Sequence, residues 1–314
     1  MSFDFDAAVV APFRMQPGLR RLATGAAQLT PLAGGSRHQR EKLAVLSAFA
    51  PQALLARPGF DATPALHALA AHAAAEHPDA FAWDGRRAEA RWLGTAVQDD
   101  GAQQVASGAF GLGDEIARCL HQLPAGWRLA GLLSLAFAED FAIADGRDAT
   151  IPWLAVALPS QWAPEDKVGR HFAEVHAPVA DNRMLLAASE ALTKLVTGRE
   201  RWERFVWTVV RHPRLHAHPD RLDPAPWRAE DWPDGAWWRT ERQTFIPLPE
   251  LHQAVFTIGV DSRPLAQAID TPARARQLHA AITSMTPAVL AYRSLAGVRE
   301  PLLAWLASLG DIAG

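Results

Sequence analysis

Two long runs of β-sheet composition, WWRTERQTFIPL (residues 237–248) and QAVFTIGV (253–260), are separated by only Pro249-Glu250-Leu251-His252. A connection that short cannot cross over a sheet, so the two runs must lie antiparallel as a hairpin. A third run of the same kind, ERFVWTVVR (203–211), precedes them. Strand alternation puts Arg239, Glu241 and Gln243 on one face of the first run and Arg242 and Thr244 on the other. Core packing alone does not call for that many polar side chains beside Trp237, Trp238 and Phe245. They read either as an exposed face laced with cross-strand ion pairs or as the wall of a polar pocket.

Further short apolar runs, LAGLLSLAF (129–137), FAIA (141–144) and IPWLAVALP (151–159), read as buried strands bounded by Gly, Asp and Pro. Helical periodicity marks 37–49, with Leu43, Leu46 and Phe49 on one face and Ser36 as cap. It also marks 64–76, with Pro64 in its first turn and Thr63 as cap. Further helices are predicted over 111–122, 183–196 with Asn182 as cap, 272–284, 287–296 and 299–309. Residues 1–35 read as an irregular arm, 80–108 as loop with a short strand near Ala90 to Val97, and 212–236 as a surface loop rich in Pro and Asp. Runs of strands without strict β–α alternation predict an α+β fold with a five- or six-stranded, mainly antiparallel sheet. We expect residues 1–126 to form an N-terminal arm and helical layer, and 127–314 the sheet core with its C-terminal helices, as one compact unit.

Composition narrows the chemistry. With 49% hydrophobic and 21% charged residues the chain is globular rather than disordered. A net charge of -3 carries no nucleic-acid footprint. The single cysteine, Cys119, excludes an internal disulfide and any Cys-based zinc or iron–sulfur site within one chain, and reads as a small buried hydrophobe. The acidic start MSFDFDAAVV does not resemble a secretion signal, and no apolar run is long enough to span a bilayer, so a cytoplasmic setting without membrane association is expected. Twelve Trp stand against one Tyr, a bias that leaves room for an aromatic cavity.

No phosphate-binding loop, dinucleotide fingerprint, HExxH or GxSxG is present. The glycine-rich GAFGLG (108–113) follows no clear strand. His67 and His72 lie five apart and share no helix face. The densest unusual chemistry is PSQWAPEDKVGRHFAEVHAPV (159–179). A turn there leads into an amphipathic helix with Val168, Phe172, Val175 and His176 on one face and Glu165, Lys167, Arg170 and Glu174 toward water. A histidine so placed is most often a satisfied core or capping residue. It can also give one imidazole nitrogen to a metal while the other is fixed by a carbonyl. One histidine is too little for structural zinc but enough for haem, which needs one strong axial donor. In WERFVW (202–207), Arg204 is either a pocket cation or a stacked surface residue. Trp207 and Trp162 are either core or part of an amine cage.

Taken together, AED (138–140), PSQWAPEDKVGRHFAEVHAPVADN (159–182), RFVW (204–207), RTERQTFIPLP (239–249) and AYRSLAG (291–297) resemble, in order and spacing, the haem-binding subunit family of haem-dependent oxidative N-demethylase. The resemblance implies a PAS-like antiparallel sheet holding haem b and wrapped by extra helices. It implies oxidative demethylation of a small secondary amine with O2, with formaldehyde released. NADPH electrons would arrive through separate flavin and iron–sulfur reductase subunits. It makes His176 the axial iron ligand, places Glu241 and Arg204 as catalytic residues over the distal face, and leaves Arg204, Arg239 and Arg242 as candidates for a haem propionate. Trp162 and Trp207 are carried as aromatic residues of the cofactor-binding pocket. Three positions depart from the family pattern: Val206 replaces an asparagine, Pro247 an arginine and Gly259 a strand arginine. These departures leave open a non-catalytic, PAS-like module that binds haem or another small ligand.

Overall fold

The structure, a computed structural model, describes residues 3–98, 101–106, 108, 111–223, 227 and 232–311. Ala109 and Phe110 of the glycine-rich stretch, and 224–226 and 228–231 of the predicted loop at 212–236, lie outside the described residues.

An arm with one short helix, α1 (Phe5–Ala8), and an edge strand, β1 (Arg20–Arg21), leads into α2 (Arg37–Ala48). The Ser36 side chain caps α2 by accepting from Gln39 N. Its buried face carries Gln39 and Lys42 beside Val45 and Leu46, a polar substitution for the purely apolar face expected. Then come α3 (Ala50–Ala53), β2 (Leu54–Ala56) and α4 (Thr63–Glu76). Thr63 is the first residue of α4 rather than its cap, and Asp61 Oδ1 accepts its N–H at 2.9 Å.

Residues 81–98 and 101–104 hold more than the one short strand expected near Ala90 to Val97. They form a separate four-stranded antiparallel sheet of β3 (Phe81–Trp83), β4 (Ala88–Ala90), β5 (Thr95–Gln98) and β6 (Gly101–Gln104). Asp84 turns the first hairpin by accepting from the N–H groups of Arg86 and Arg87, and Gly85 takes φ +99°. An Asp-Gly pair between short runs is a hairpin signal in its own right.

After α5 (Glu115–Gln122), the run read as a strand at 129–137 is instead a helix, α6 (Arg128–Ala136). Every residue from Ala130 to Ala136 is buried, so no period betrays its type. Its Leu and Ala content, with no β-branched residue, favours helix. The main sheet follows: β7 (Glu139–Asp145), β8 (Thr150–Ala155), then α7 (Phe172–His176), α8 (Arg183–Ala187) and α9 (Ser189–Val196), then β9 (Trp202–Val210), β10 (Trp237–Leu248) and β11 (Gln253–Pro264). The single helix expected over 183–196 is thus broken at Ala188, and the Asn182 side chain makes no cap bond to it. The chain closes with α10 (Leu265–Ala268), α11 (Pro272–Thr283), α12 (Pro287–Tyr292) and α13 (Arg299–Gly310).

The seven-stranded sheet runs β1-β9-β10-β11-β7-β8-β2 and is antiparallel throughout. The fold is therefore mixed α and β with antiparallel sheets. One apolar cluster spans Leu29 to Val260, so the N-terminal helices and the main sheet share it. A second joins Phe5 and Val9 of the arm, Trp207 and Trp238 of the sheet, and α11 to α13. Among the described residues no helix is long and apolar enough to cross a membrane.

Candidate functional site

The register of β9, β10 and β11 fixes which side chains share a face, because residues directly opposite point the same way. One face carries the rows Arg204–Gln243–Ile258, Val206–Glu241–Val260 and Thr208–Arg239–Ser262. The opposite face carries Phe205–Arg242–Gly259 and Trp207–Thr240–Asp261. Arg204 and Glu241 therefore line one wall, and Arg242 and Trp207 do not reach it.

Arg204 has one long bond, Nη1 to Pro17 O at 3.3 Å, and its Nε is buried with no hydrogen-bond partner. Burial pushes its pKa down, against the opposing charges of Glu241 and Tyr292. Glu241 is buried and accepts from Gln243 Nε2 at 2.5 Å. Tyr292, the only tyrosine of the chain, is 48% exposed, and burial of its phenol and the nearby Glu241 both raise its pKa. The sequence reading gave this residue no role. Its uniqueness, inside AYRSLAG, was the available signal.

The segment carrying His176 is not one helix. Pro164–Asp166 make a tight turn, Gly169 at φ +73° breaks the chain direction, and only Phe172–His176 are helical. Val168 packs on the first apolar cluster as part of the preceding turn. The short α7 is held by a capping box: His171 Nδ1 accepts from Ala173 N at 3.1 Å and Glu174 accepts from His171 N at 3.2 Å. Its last turn is held by Lys167 Nζ on Val175 O at 3.1 Å, so Lys167 folds back rather than facing water. Asn182 Nδ2 donates to the carbonyls of His176 at 3.2 Å and Ala177 at 2.8 Å.

His176 Nδ1 meets Phe172 O at 2.8 Å. A carbonyl can only accept, so Nδ1 carries the proton and Nε2 keeps its lone pair. The ring lies against Phe172 at 4.1 Å between centroids. Burial lowers its pKa to about 4, helped by the charges of Arg204 and Lys167, so the imidazole is neutral at pH 7. The charge of Arg204 reaches His176, and Arg204 and Tyr292 each feel Glu241 and one another.

Other residues singled out in the sequence are engaged elsewhere. Arg239 is 1% exposed and donates to Ser160 Oγ and to the carbonyls of Leu158, Pro159, Arg214 and Leu215. Arg242 pairs with Glu203 at 3.1 Å and donates to Ala27 O. Arg242 lies on the other face, and Arg239, on the same face as Arg204 and Glu241, spends its guanidinium on those acceptors. Trp207 stacks on Trp238 at 5.0 Å, bonds Ala8 O, and already has the Arg293 guanidinium over its ring at 4.8 Å. Trp162 packs on the other apolar cluster, so the two tryptophans form no shared cage. His67 sits against Trp83 and His72 pairs with Glu76. Cys119 is buried in the first cluster. Of the three departures from the family pattern only Val206 lines the wall. Gly259 faces the other way and Pro247 lies opposite Ala254 near the hairpin end. A surface cleft of about 300 Å³ lies elsewhere, lined by Arg57, Phe60, Arg147 and Gln253, and none of the wall residues borders it.

A neutral imidazole with one free nitrogen, near enough to feel the charge of an arginine whose own Nε is buried and unpartnered, fits a group that needs one axial donor and polar contacts nearby. The model of the haem-dependent oxidative N-demethylase, alpha subunit-like family matches residues 64–303. The chain belongs to that haem-dependent family, whose description as an alpha subunit implies a partner subunit. No curated protein matches it.

Proposed function

We propose that this member of a haem-dependent family binds haem b through His176 Nε2 and removes a methyl group from a small secondary amine. The observation that carries the reading is the Phe172 O bond, which leaves a neutral imidazole with Nε2 unprotonated and near enough to feel the charge of Arg204, which shares a sheet face with Glu241. When bound, haem supplies the site where O2 is held and electrons are delivered. The chain's own residues do the rest. Glu241, buried and braced by Gln243, receives the ammonium of the amine and takes its proton. Arg204, with an unpartnered Nε, offers a donor to polar groups held at the wall. Phe172, Lys167 and Asn182 fix the histidine backbone and ring, which sets the direction of Nε2.

The balance is one O2 and two electrons from NADPH with two protons. The methyl carbon leaves as formaldehyde with one oxygen atom, and the other oxygen becomes water. A chain with one buried cysteine holds no iron–sulfur cluster of its own, which supports delivery of electrons by separate flavin and iron–sulfur subunits in the cytoplasm. A PAS-like core is supported by connectivity. β7 and β8 pair first, helices α7 to α9 follow, and β9, β10 and β11 return so that the last strand lies beside the first.

The second reading, a PAS-like module that binds haem or another small ligand without turnover, is favoured by Val206 alone, an apolar side chain beside Glu241 where the family pattern has an amide. Purified protein titrated with haemin should show an intense Soret band that His176→Ala abolishes or shifts. With reductase subunits and NADPH, a small secondary amine should yield formaldehyde, and Glu241→Gln should suppress the yield at least tenfold while leaving the spectrum in place. Spectral binding without formaldehyde selects the second reading, and a protein that takes up no haemin overturns both haem readings.

A further inference from the structure

The wall continues one row beyond Glu241, to Thr208–Arg239–Ser262. Ser262 is 2% exposed, yet its Oγ has no hydrogen-bond partner, and the Oγ1 of Thr208 is also buried and unpartnered. The two hydroxyl residues stand on either side of Arg239 in the sheet. The segment after β9 turns over this row. Arg37 donates to Ser262 O at 2.8 Å and also to Pro213 O, while Arg239 donates to Arg214 O at 2.8 Å and Leu215 O at 2.7 Å. His212, next to Pro213, is thereby held near the charge of Arg239, and its ring nitrogens are buried with the Arg214 backbone as their one weak neighbour. Buried polar groups in native folds are nearly all matched, so this concentration of unmatched donors calls for an occupant.

The local charge says which kind. Burial and the charges of Arg239, Arg214 and Arg211 hold His212 down at about 4, and burial lowers Arg239 to about 10. The nearby acids are already engaged. Glu41 accepts from the N–H groups of Leu215 and His216 and pairs with Arg37, while Asp140 pairs with Lys42. Glu241, one row away, is bonded by Gln243. Two hydroxyl donors and a buried guanidinium charge match the acceptor-only oxygens of an anion with two oxygens side by side.

We propose that the Thr208–Arg239–Ser262 row is a carboxylate-binding site. Two sources carry that chemistry: a haem propionate, an arm that rests on the haem reading above, and the acid group of a free small carboxylate, an arm that does not. The test uses the full chain and the variants Ser262→Ala and Thr208→Val/Ser262→Ala, leaving Arg239 in place. Haemin and its dimethyl ester, which lacks the acid groups, are titrated by absorbance. Thermal unfolding is followed in sodium propionate against sodium chloride of equal ionic strength. If a haem propionate occupies the row, wild type binds haemin at least tenfold tighter than the ester and the double variant removes the difference. If a free acid occupies it, propionate raises the unfolding midpoint of wild type but not of the variants. Should haemin fail to bind wild type at all, the haem reading falls and the propionate arm decides alone. The proposal is overturned if propionate does not stabilise wild type and haemin and ester bind alike. It is equally overturned if either preference survives undiminished in a cooperatively folding Thr208→Val/Ser262→Ala chain.

Discussion

Arg239 and Arg204 point from the same face of one sheet, and both are stripped of water enough to lower their pKa. Their partners differ completely. Arg239 is surrounded by one hydroxyl and four backbone carbonyls, from the 158–160 turn and the 214–215 segment. Arg204 has one stretched bond to Pro17 O and a buried Nε with nothing to meet. The first arginine is a clamp that joins two distant motifs, since RTERQT on β10 holds the Pro159-Ser160 start of the segment that delivers His176. The second is a cation held ready for something else. Burial alone does not distinguish structural from functional charge, but the state of the hydrogen-bonding fork does.

The clamp predicts the largest loss. Arg239→Met leaves those acceptors buried without a donor, and we expect it to cost about 4 kcal/mol, at the severe end for one substitution. The shift in urea midpoint measures it, and a cost below about 1 kcal/mol would mean that the turn and the loop are held by other contacts. Next to it lies a second buried support. Lys42 and Asp140 are 0% exposed and 3.1 Å apart, Lys42 also donates to the carbonyls of Phe137 and Glu139, and Asp140 accepts from Leu158 N at 2.6 Å. Lys42→Met strands the aspartate and should cost about 3 kcal/mol. Adding Asp140→Asn should recover part of that, which a double-mutant cycle in urea would read.

The sequence revealed these two regions unequally. The hairpin was legible because four residues cannot make a crossover, and the alternation that put Arg239 and Glu241 together and Arg242 opposite follows from period two. What each arginine binds was not legible, because the carbonyls around Arg239 come from segments 24 to 81 positions away. The helix α6 was hidden by complete burial, which erases periodicity, and the small sheet by strands of three or four residues. His176 was legible as a candidate from its segment. Its tautomer depends on a carbonyl four residues back, and that bond needed a real helical turn rather than the longer helix expected. Lys42 on a buried face defied the rule that charges point outward, since its partner Asp140 lies nearly a hundred residues away.

On the wall side the effects should be smaller and should depend on protonation. His176 has a pKa of about 4 in the fold against an ordinary value near 6.5. Between those values the unfolded chain binds a proton that the folded chain does not. Stability therefore rises with pH through the window 4 to 6.5 and is fully present above it. His212 acts in the same direction and window, whereas Glu76, lowered to about 2, adds its loss only below about pH 4.5. In haem-free protein, His176→Asn should reduce the drop in unfolding temperature between pH 7 and pH 5 without abolishing it. An unchanged drop would show that the imidazole is not desolvated.

The smallest stability effect should come from Arg204 itself, and that result would complete the contrast with Arg239. Arg204→Met keeps the aliphatic length, removes a charge whose burial is unfavourable, and breaks one bond already 3.3 Å long. We expect the urea midpoint to move by the equivalent of about 1 kcal/mol or less in either direction, against about 4 for the same substitution two rows away. Ligand binding should reverse the order of importance. Arg204→Met should weaken an amine or haemin titration at least tenfold in a chain that still folds, because its unmatched nitrogen has no structural work to lose. If Arg204→Met instead destabilises as much as Arg239→Met, both arginines are clamps, and the Arg204–Glu241 wall is packing rather than a site.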